Sequence, residues 1–427
     1  MVLPENQETE VVKAVRLSKG TTERIGDGLT LPPGFPILVF RQSRIPVEPV
    51  LRYVHDKYRK RPASALSVAN DLKDWWTYLR AHETPWDAID ETDIRYYADI
   101  MEQTVSPLTH ERYKRKTIRK RIGSVRNFYA WASAKGILDC SVDLSTTDYS
   151  SNSEQPGVRA KVRDAGTLMP GATSGEDDHV LALSHQDVFA VFAELGPLPS
   201  EKTWSSDSSR DRLIAELALN TGMRRDEISH LTLLQILNLH PDHAIEHGAC
   251  LLPISKTKGL RARKVEVPNW LIRELRTYVD TERVEAIARL ADAGVNDAKR
   301  LFVNGVSAKH NAGRSISNDT IDRAFRLAVL RSGRVIEAPR FDPETGTAYS
   351  AQAPQFTFHA LRHTFAIWRY YAEYAAGIHE PWKIVQVLLG HKSLATTLAI
   401  YLRPCAVFEG QVSDAVVRHF NAIRSAA

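Results

Sequence analysis

Apolar positions recur at helical spacing in four consecutive stretches between Ile45 and about Gly136. They read VEPVLRYVHDKYRKR, ALSVANDLKDWWTYLRAH, ETDIRYYADIMEQ and THERYKRKTIRKRIGSVRNFYAWASAKG. In the last stretch Ile118, Ile122, Val125 and Tyr129 share one face, and Gly136 follows Lys135 where a helix commonly ends in glycine. The pattern predicts an all-α domain over 44–140. Ahead of it, residues 1–43 contain GDGLTLPPGFPILVF, a Gly/Pro-rich arm that ends in a short apolar strand.

Periodicity stops after this domain. Residues 141–180 are rich in Ser, Thr, Gly and Asp and carry no apolar repeat, so they read as a linker. Over 181–427, HQDVFAVFAEL and DRLIAELALN restart the helical period, and CLLPISKTKGLRARKVEVP alternates like two strands around a basic turn. The remainder is again mostly helical. Near the end, Val412, Val416, Phe420 and Ile423 fall along one face of a C-terminal tail helix. The expected fold is mainly α: an all-α N-terminal domain followed by an α+β domain, mostly α, with a small sheet. A chain of 427 residues is long enough for two or three such domains.

Composition narrows the class. There is no apolar run of membrane-spanning length and no charged-then-apolar signal segment at the start, which points to a cytoplasmic protein without a membrane partner. Cys140, Cys250 and Cys405 stand far apart, so free thiols are expected rather than a zinc or redox motif. The net charge of +5 is mild, and its placement matters more than its sum. Eight cations, Arg112, Lys114, Arg115, Lys116, Arg119, Lys120, Arg121 and Arg126, crowd fifteen positions with no acid among them. Such a helix can neutralise several phosphates, so these residues and Lys258 are the candidate nucleic-acid contacts.

Several short motifs could carry chemistry. TGMRRDEISHL sets Arg224 at a helix start, with Asp226 and Glu227 in the first turn, where the helix dipole favours acids. ISKTKGLRARKVEVP puts Lys256 and Lys258 on a basic turn together with Arg261, Arg263 and Lys264. In FTFHALRHTFA, His359 and Arg362 are three apart and so share a helix face. His359 and His363 have the spacing of a zinc pair, but no glutamate follows His359 and no third ligand is evident, so no metal is expected. PWKIVQVLLGHKSLATTLAIYLRP gives a helix stopped by Gly390, then His391, and finally Tyr401.

Taken in order, Arg, hairpin Lys, His-x-x-Arg, Gly-His and Tyr resemble the catalytic domain of the tyrosine site-specific recombinases, the phage integrase family. The likeness covers roughly Ser184 to Arg403, and the basic helical domain before it resembles the family's core-binding domain. The resemblance implies that Tyr401 attacks a DNA phosphodiester, leaving a 3′-phosphotyrosine and a free 5′-hydroxyl. Arg224 and Arg362 match the family's two phosphate-clamping arginines. His359 matches the position that helps the nucleophile lose its proton, and His391 the position that hydrogen-bonds the scissile phosphate. Lys256, with Lys258 as the fallback, is assigned to protonate the leaving oxygen, and Glu227 supports the site. No cofactor is implied, because the covalent bond conserves the energy of the broken ester. The implied partners are double-stranded DNA and further copies of the chain, a dimer on a site and a tetramer in a synapse, with room for accessory proteins. Two other readings share these residues: a type IB topoisomerase, and a DNA-binding protein with a vestigial site. In the family pattern nine positions separate the motif histidine from the tyrosine, whereas His391 to Tyr401 is ten. One residue turns a helix by about 100 degrees, so a bulge or looser loop is expected there.

Overall fold

The computed structural model describes residues 8–14, 31–107, 109–139, 181–202, 208–242, 245, 248–254, 262–292 and 294–390. These residues form two compact units that divide between 172 and 173, except that Pro339–Ser350 joins the first. In each unit the helices dominate, and the strands come only in pairs. Lys256, Lys258, His391, Tyr401 and the tail helix expected near the C-terminus lie outside the described residues, as do the linker and the ten-residue spacing.

In the first unit, β1 (Thr9–Lys13) pairs antiparallel with β2 (Pro36–Phe40). Four helices follow: α1 (Glu48–Tyr58), α2 (Pro62–Ala81), α3 (Glu91–Gln103) and α4 (Arg115–Ala134). Proline in the first turn opens α1 and α2, where its missing N–H costs nothing. Asp90 caps α3 by accepting from the N–H groups of Thr92 and Asp93 at 2.7 and 3.2 Å. Helix α2 lies at the centre and touches α1, α4 and both strands. Its Trp75 is fully buried, stacks on Tyr78, and donates to the Tyr129 hydroxyl at 3.1 Å. The aromatic N–H is thus satisfied inside the core. Residues 36–40, the apolar end of the expected arm, are buried in this core. That strand therefore helps to build the domain.

The second unit holds α5 (His185–Ala193), α6 (Arg210–Thr221), α7 (Arg225–Ser229), α8 (Leu233–Leu237), β3 (Ala249–Ile254), β4 (Arg263–Pro268), α9 (Asn269–Tyr278), α10 (Val284–Asp292), α11 (Asn318–Arg331), α12 (Phe358–Ala375) and α13 (Pro381–Leu389). A π-helical turn, Val279–Arg283, joins α9 to α10. Strands β3 and β4 pair antiparallel, as the alternating pattern predicts. Helix α6 is the axis of the unit: residues Leu213 to Thr221 are all buried, and α7, α9, α11, α12 and β4 pack around it. A helix covered on every side cannot show a polar face, so its polar residues must pair internally. Glu216 does so with Arg212 at 2.9 Å and Asn220 at 3.0 Å, and burial raises its carboxyl above the ordinary value.

A third strand pair, β5 (Val335–Phe341) and β6 (Ala348–Pro354), stands where the sequence pattern predicts mostly helix. Most of its residues are exposed or half-exposed, so neither strand carries the apolar alternation that reveals a strand. The local signal is the turn: Asp342 accepts from the N–H groups of Glu344 and Thr345 at 2.9 and 2.8 Å, and Gly346 has positive φ. Within the first unit, Arg340 pairs with Glu111, and the Tyr349 hydroxyl meets His110 Nδ1 at 2.9 Å.

Candidate active site

Helix α6 ends at Gly222, whose φ of 63° lies in the left-handed region. A Cβ there would stand 2.4 Å from Phe365 of α12, so only glycine allows both the turn and the approach of that ring. Two residues later Arg224 caps α7 with extended backbone. Its N–H donates to Glu227 Oε2 at 2.8 Å, and its Nη1 to Glu227 Oε1 at 3.1 Å. The Glu227 side chain is only 1% exposed, against 24% for Arg224. The buried carboxylate therefore holds the arginine by backbone and side chain together and leaves its guanidinium partly open to solvent.

The HALRH segment forms the first turns of α12. Arg362 is 2% exposed and donates from Nη1 to the Gly222 carbonyl and from Nη2 to the Leu389 carbonyl, the latter at 2.7 Å. Leu389 is the last residue of α13, and Gly390 closes that helix with φ of 65°. One guanidinium thus ties the segment that bears Arg224 to the residue two before His391. His359 lies one turn before Arg362 and is exposed, with its ring edge-on to that of His363 at 4.6 Å. Arg224, Glu227 and Arg362 are joined through one network, and His359 shares the face of Arg362.

Arg263 enters this network too, although the sequence pattern places it merely among the cations of a basic turn. It is the first residue of β4, with a side chain 7% exposed. Its Nη2 donates to Glu227 Oε2 at 2.7 Å, and its Nη1 to the Leu389 carbonyl. Burial lowers its affinity for the proton, Glu227 opposes that, and Arg224 adds to it. The signal was present in the strand alternation, since Arg263 shares its face with Val265 and Val267, both fully buried.

The cations on and before α4 divide by environment. Arg112, Lys114, Arg115, Lys116, Arg119 and Lys120 are exposed, Arg121 is half-buried and Arg126 is buried. Lys120 meets both oxygens of the buried Asp71 at 2.8 Å, Arg121 pairs with Asp74 at 2.9 Å over the Tyr113 ring, and Arg126 pairs with Glu91. The run contains no acid of its own, so only the packing of α2 and α3 against α4 supplies these partners. Arg126 therefore ties α3 to α4 inside the unit. Removing one member of such a pair strands a buried charge, so Arg126→Ala is expected to destabilise the unit by about 3 kcal/mol in chemical denaturation. The salt dependence of DNA binding should stay as in wild type. A slope lowered by about one would instead make Arg126 a phosphate contact.

Known proteins resemble this chain in both of its domains. The model described as "Phage integrase family" matches residues 194–406, and "Phage integrase, N-terminal SAM-like domain" matches 51–136. The tyrosine recombinase XerC of Lacticaseibacillus casei (strain BL23) is 22% identical over 353 residues, 82% of this chain and 92% of the relative. XerC of Roseiflexus sp. (strain RS-1) is 23% identical over 352 residues, covering 82% and 87%. Among solved structures, the Tn1549 transposon integrase in complex with transposon right end DNA aligns over 85% of this chain and 97% of its own, with 14% identity and a TM-score of 0.49. The lambda integrase dimer bound to a COC′ core site aligns over 86% and 78%, with 15% identity and a TM-score of 0.46. No helix among the described residues is long and apolar enough to cross a membrane. With both family models matched in their proper order and the TGMR and HALRH motifs meeting at one hydrogen-bonded site, the chain belongs to the phage integrase family, the tyrosine recombinases that cut and rejoin DNA through a covalent tyrosine intermediate.

Proposed function

We propose that this chain is a site-specific recombinase of double-stranded DNA that integrates, excises or resolves a DNA element, with Tyr401 as nucleophile and Arg224, Lys256, His359, Arg362 and His391 as its catalytic partners. The observation that carries this reading is that Arg362, 138 positions further along the sequence, bonds the Gly222 carbonyl two residues before Arg224, while Glu227 holds Arg224 in place, in a member of the family.

The chemistry requires such a set. The Tyr401 oxygen attacks phosphorus, the bond to the 5′-oxygen breaks, and a 3′-phosphotyrosine remains. Charge gathers on the non-bridging oxygens as the five-coordinate transition state forms, and guanidinium groups neutralise it with directed N–H donors. His359 takes the tyrosine proton, Lys256 or Lys258 gives one to the departing oxygen, and His391 hydrogen-bonds the phosphate. The released 5′-hydroxyl of a partner strand then attacks the phosphotyrosine and reverses the step, so the reading invokes neither metal nor nucleotide. A cytoplasmic dimer on each site and a tetramer in the synapse belong to the same reading. Residues 44–140 would grip the core site, 141–180 would link them to the catalytic residues 181–427, and 1–43 would contribute the β1–β2 pair to the first domain.

Incubating the chain with supercoiled plasmid, with and without the site from its flanking DNA, tests the assignment. Recombinant products only with paired sites are expected. Relaxation of the plasmid that lacks a site would favour a type IB topoisomerase, and binding without cleavage on either DNA a vestigial site. DNA grip is tested separately by reversing charge at the exposed Arg115, Lys116 and Arg119. Each phosphate that is no longer neutralised should lower the log–log salt slope by roughly 0.9, so a slope equal to that of wild type would remove α4 from the interface.

A further inference from the structure

We propose that Arg263 is a positioning residue for strand cleavage, a buried strut that shares Glu227 with Arg224 and so keeps the Arg224 guanidinium available to phosphate. The proposal rests on the recombinase reading above. Arg263 touches no reacting group in that scheme and acts through others.

The bonds form a closed circuit. Glu227 accepts from Arg224 and from Arg263, Arg263 donates to the Leu389 carbonyl, Arg362 donates to that same carbonyl and to Gly222, and Gly222 leads by backbone to Arg224. Four separate segments meet there: the turn from α6 into α7, the start of β4, the start of α12 and the end of α13. Gly390 is shaped for the strut, because a Cβ at that residue would lie 3.0 Å from both Cδ and Nη1 of Arg263. Arg263 Nε has no hydrogen-bond partner among the described residues, so the side chain holds its place through the two Nη contacts.

Charge decides the consequence. One buried carboxylate stands between two guanidinium groups, so the cluster of Arg224, Glu227 and Arg263 carries one net positive charge. Without Arg263, Glu227 is a nearly fully buried anion with Arg224 as its remaining cation. That pairing would draw Arg224 inward and cancel the charge that a phosphate needs. Arg263 thus acts as the counterion that lets Arg224 serve two partners.

The test measures single-turnover cleavage of a nicked suicide substrate together with the affinity for the same DNA. Arg263→Met should cut roughly tenfold to a hundredfold more slowly, as expected for a misplaced catalytic group, while binding DNA within about threefold of wild type. Arg263→Lys, which keeps the charge, should lose less. Adding Glu227→Gln removes the unbalanced anion, so the Arg263→Met/Glu227→Gln double variant should cleave faster than Arg263→Met alone. Packing lost at Arg263 could not be repaired that way. Wild-type cleavage by Arg263→Met, or a double variant slower than both single variants, would overturn the proposal. If Arg263→Met does not fold, the neutral and polar Arg263→Gln, with and without Glu227→Gln, makes the same distinction. Absence of any adduct with the wild-type chain would instead sink the recombinase reading itself.

Discussion

Tyr401→Phe is expected to leave no covalent protein–DNA adduct on a nicked suicide substrate that traps wild type, while binding that DNA as wild type does. The substitution removes one oxygen and keeps the ring, so on the proposed assignment grip on DNA survives and only the attacking group is lost. A tyrosine hydroxyl with pKa near 10 is ionised in roughly one molecule in a thousand at pH 7, so its attack depends on a neighbour that accepts the proton. His359→Ala should therefore slow adduct formation roughly 10²- to 10⁴-fold without abolishing it, and high pH should restore part of the rate. Gel electrophoresis of the trapped adduct measures both. An adduct from Tyr401→Phe would show that another residue attacks.

Arg224→Ala and Arg362→Ala are expected to lose similar activity by different routes. In the proposed reaction each removes a donor from the developing charge, and loss of one preorganised donor costs roughly 10²- to 10³-fold in rate. Arg224 is partly open, and Glu227 keeps Arg263 as a partner, so Arg224→Ala should fold almost as stably as wild type. Arg362 is buried and binds the carbonyls of Gly222 and Leu389, so its loss deprives the buried Gly222 carbonyl of this donor, at about 1–3 kcal/mol, and leaves the Leu389 carbonyl to Arg263. Thermal unfolding beside single-turnover cleavage separates the two effects. Equal stability of both variants would mean that Arg362 does not hold α12 and α13 against Gly222.

Arg126 shows where local sequence accounting stops. The run from Arg112 to Arg126 contains no acid, and from that alone all eight cations read as a DNA-facing surface. Asp71, Asp74 and Glu91 lie 35 or more positions away along the chain from the cations they meet, and helix packing brings them there. Arg263 errs in the other direction. Its neighbours in sequence make it one more turn cation, yet the strand's two-residue period turns it inward beside Val265 and Val267. The β5–β6 pair escaped for a third reason: half-exposed strands need no apolar alternation, so the period that reveals strands is absent.

The sequence by itself determined the mainly helical fold, the β3–β4 pair with its basic turn, and the order of Arg, Lys, His-x-x-Arg, Gly-His and Tyr that marks the family. Those features follow from periodicity, turn chemistry and residue spacing, all of which are local along the chain. Tertiary structure alone decided which cations stay at the surface, that Glu227 is shared by two arginines, and that the Leu389 carbonyl joins Arg263 to Arg362. These depend on which distant groups share a buried volume, where an unpaired charge or carbonyl is too costly to leave.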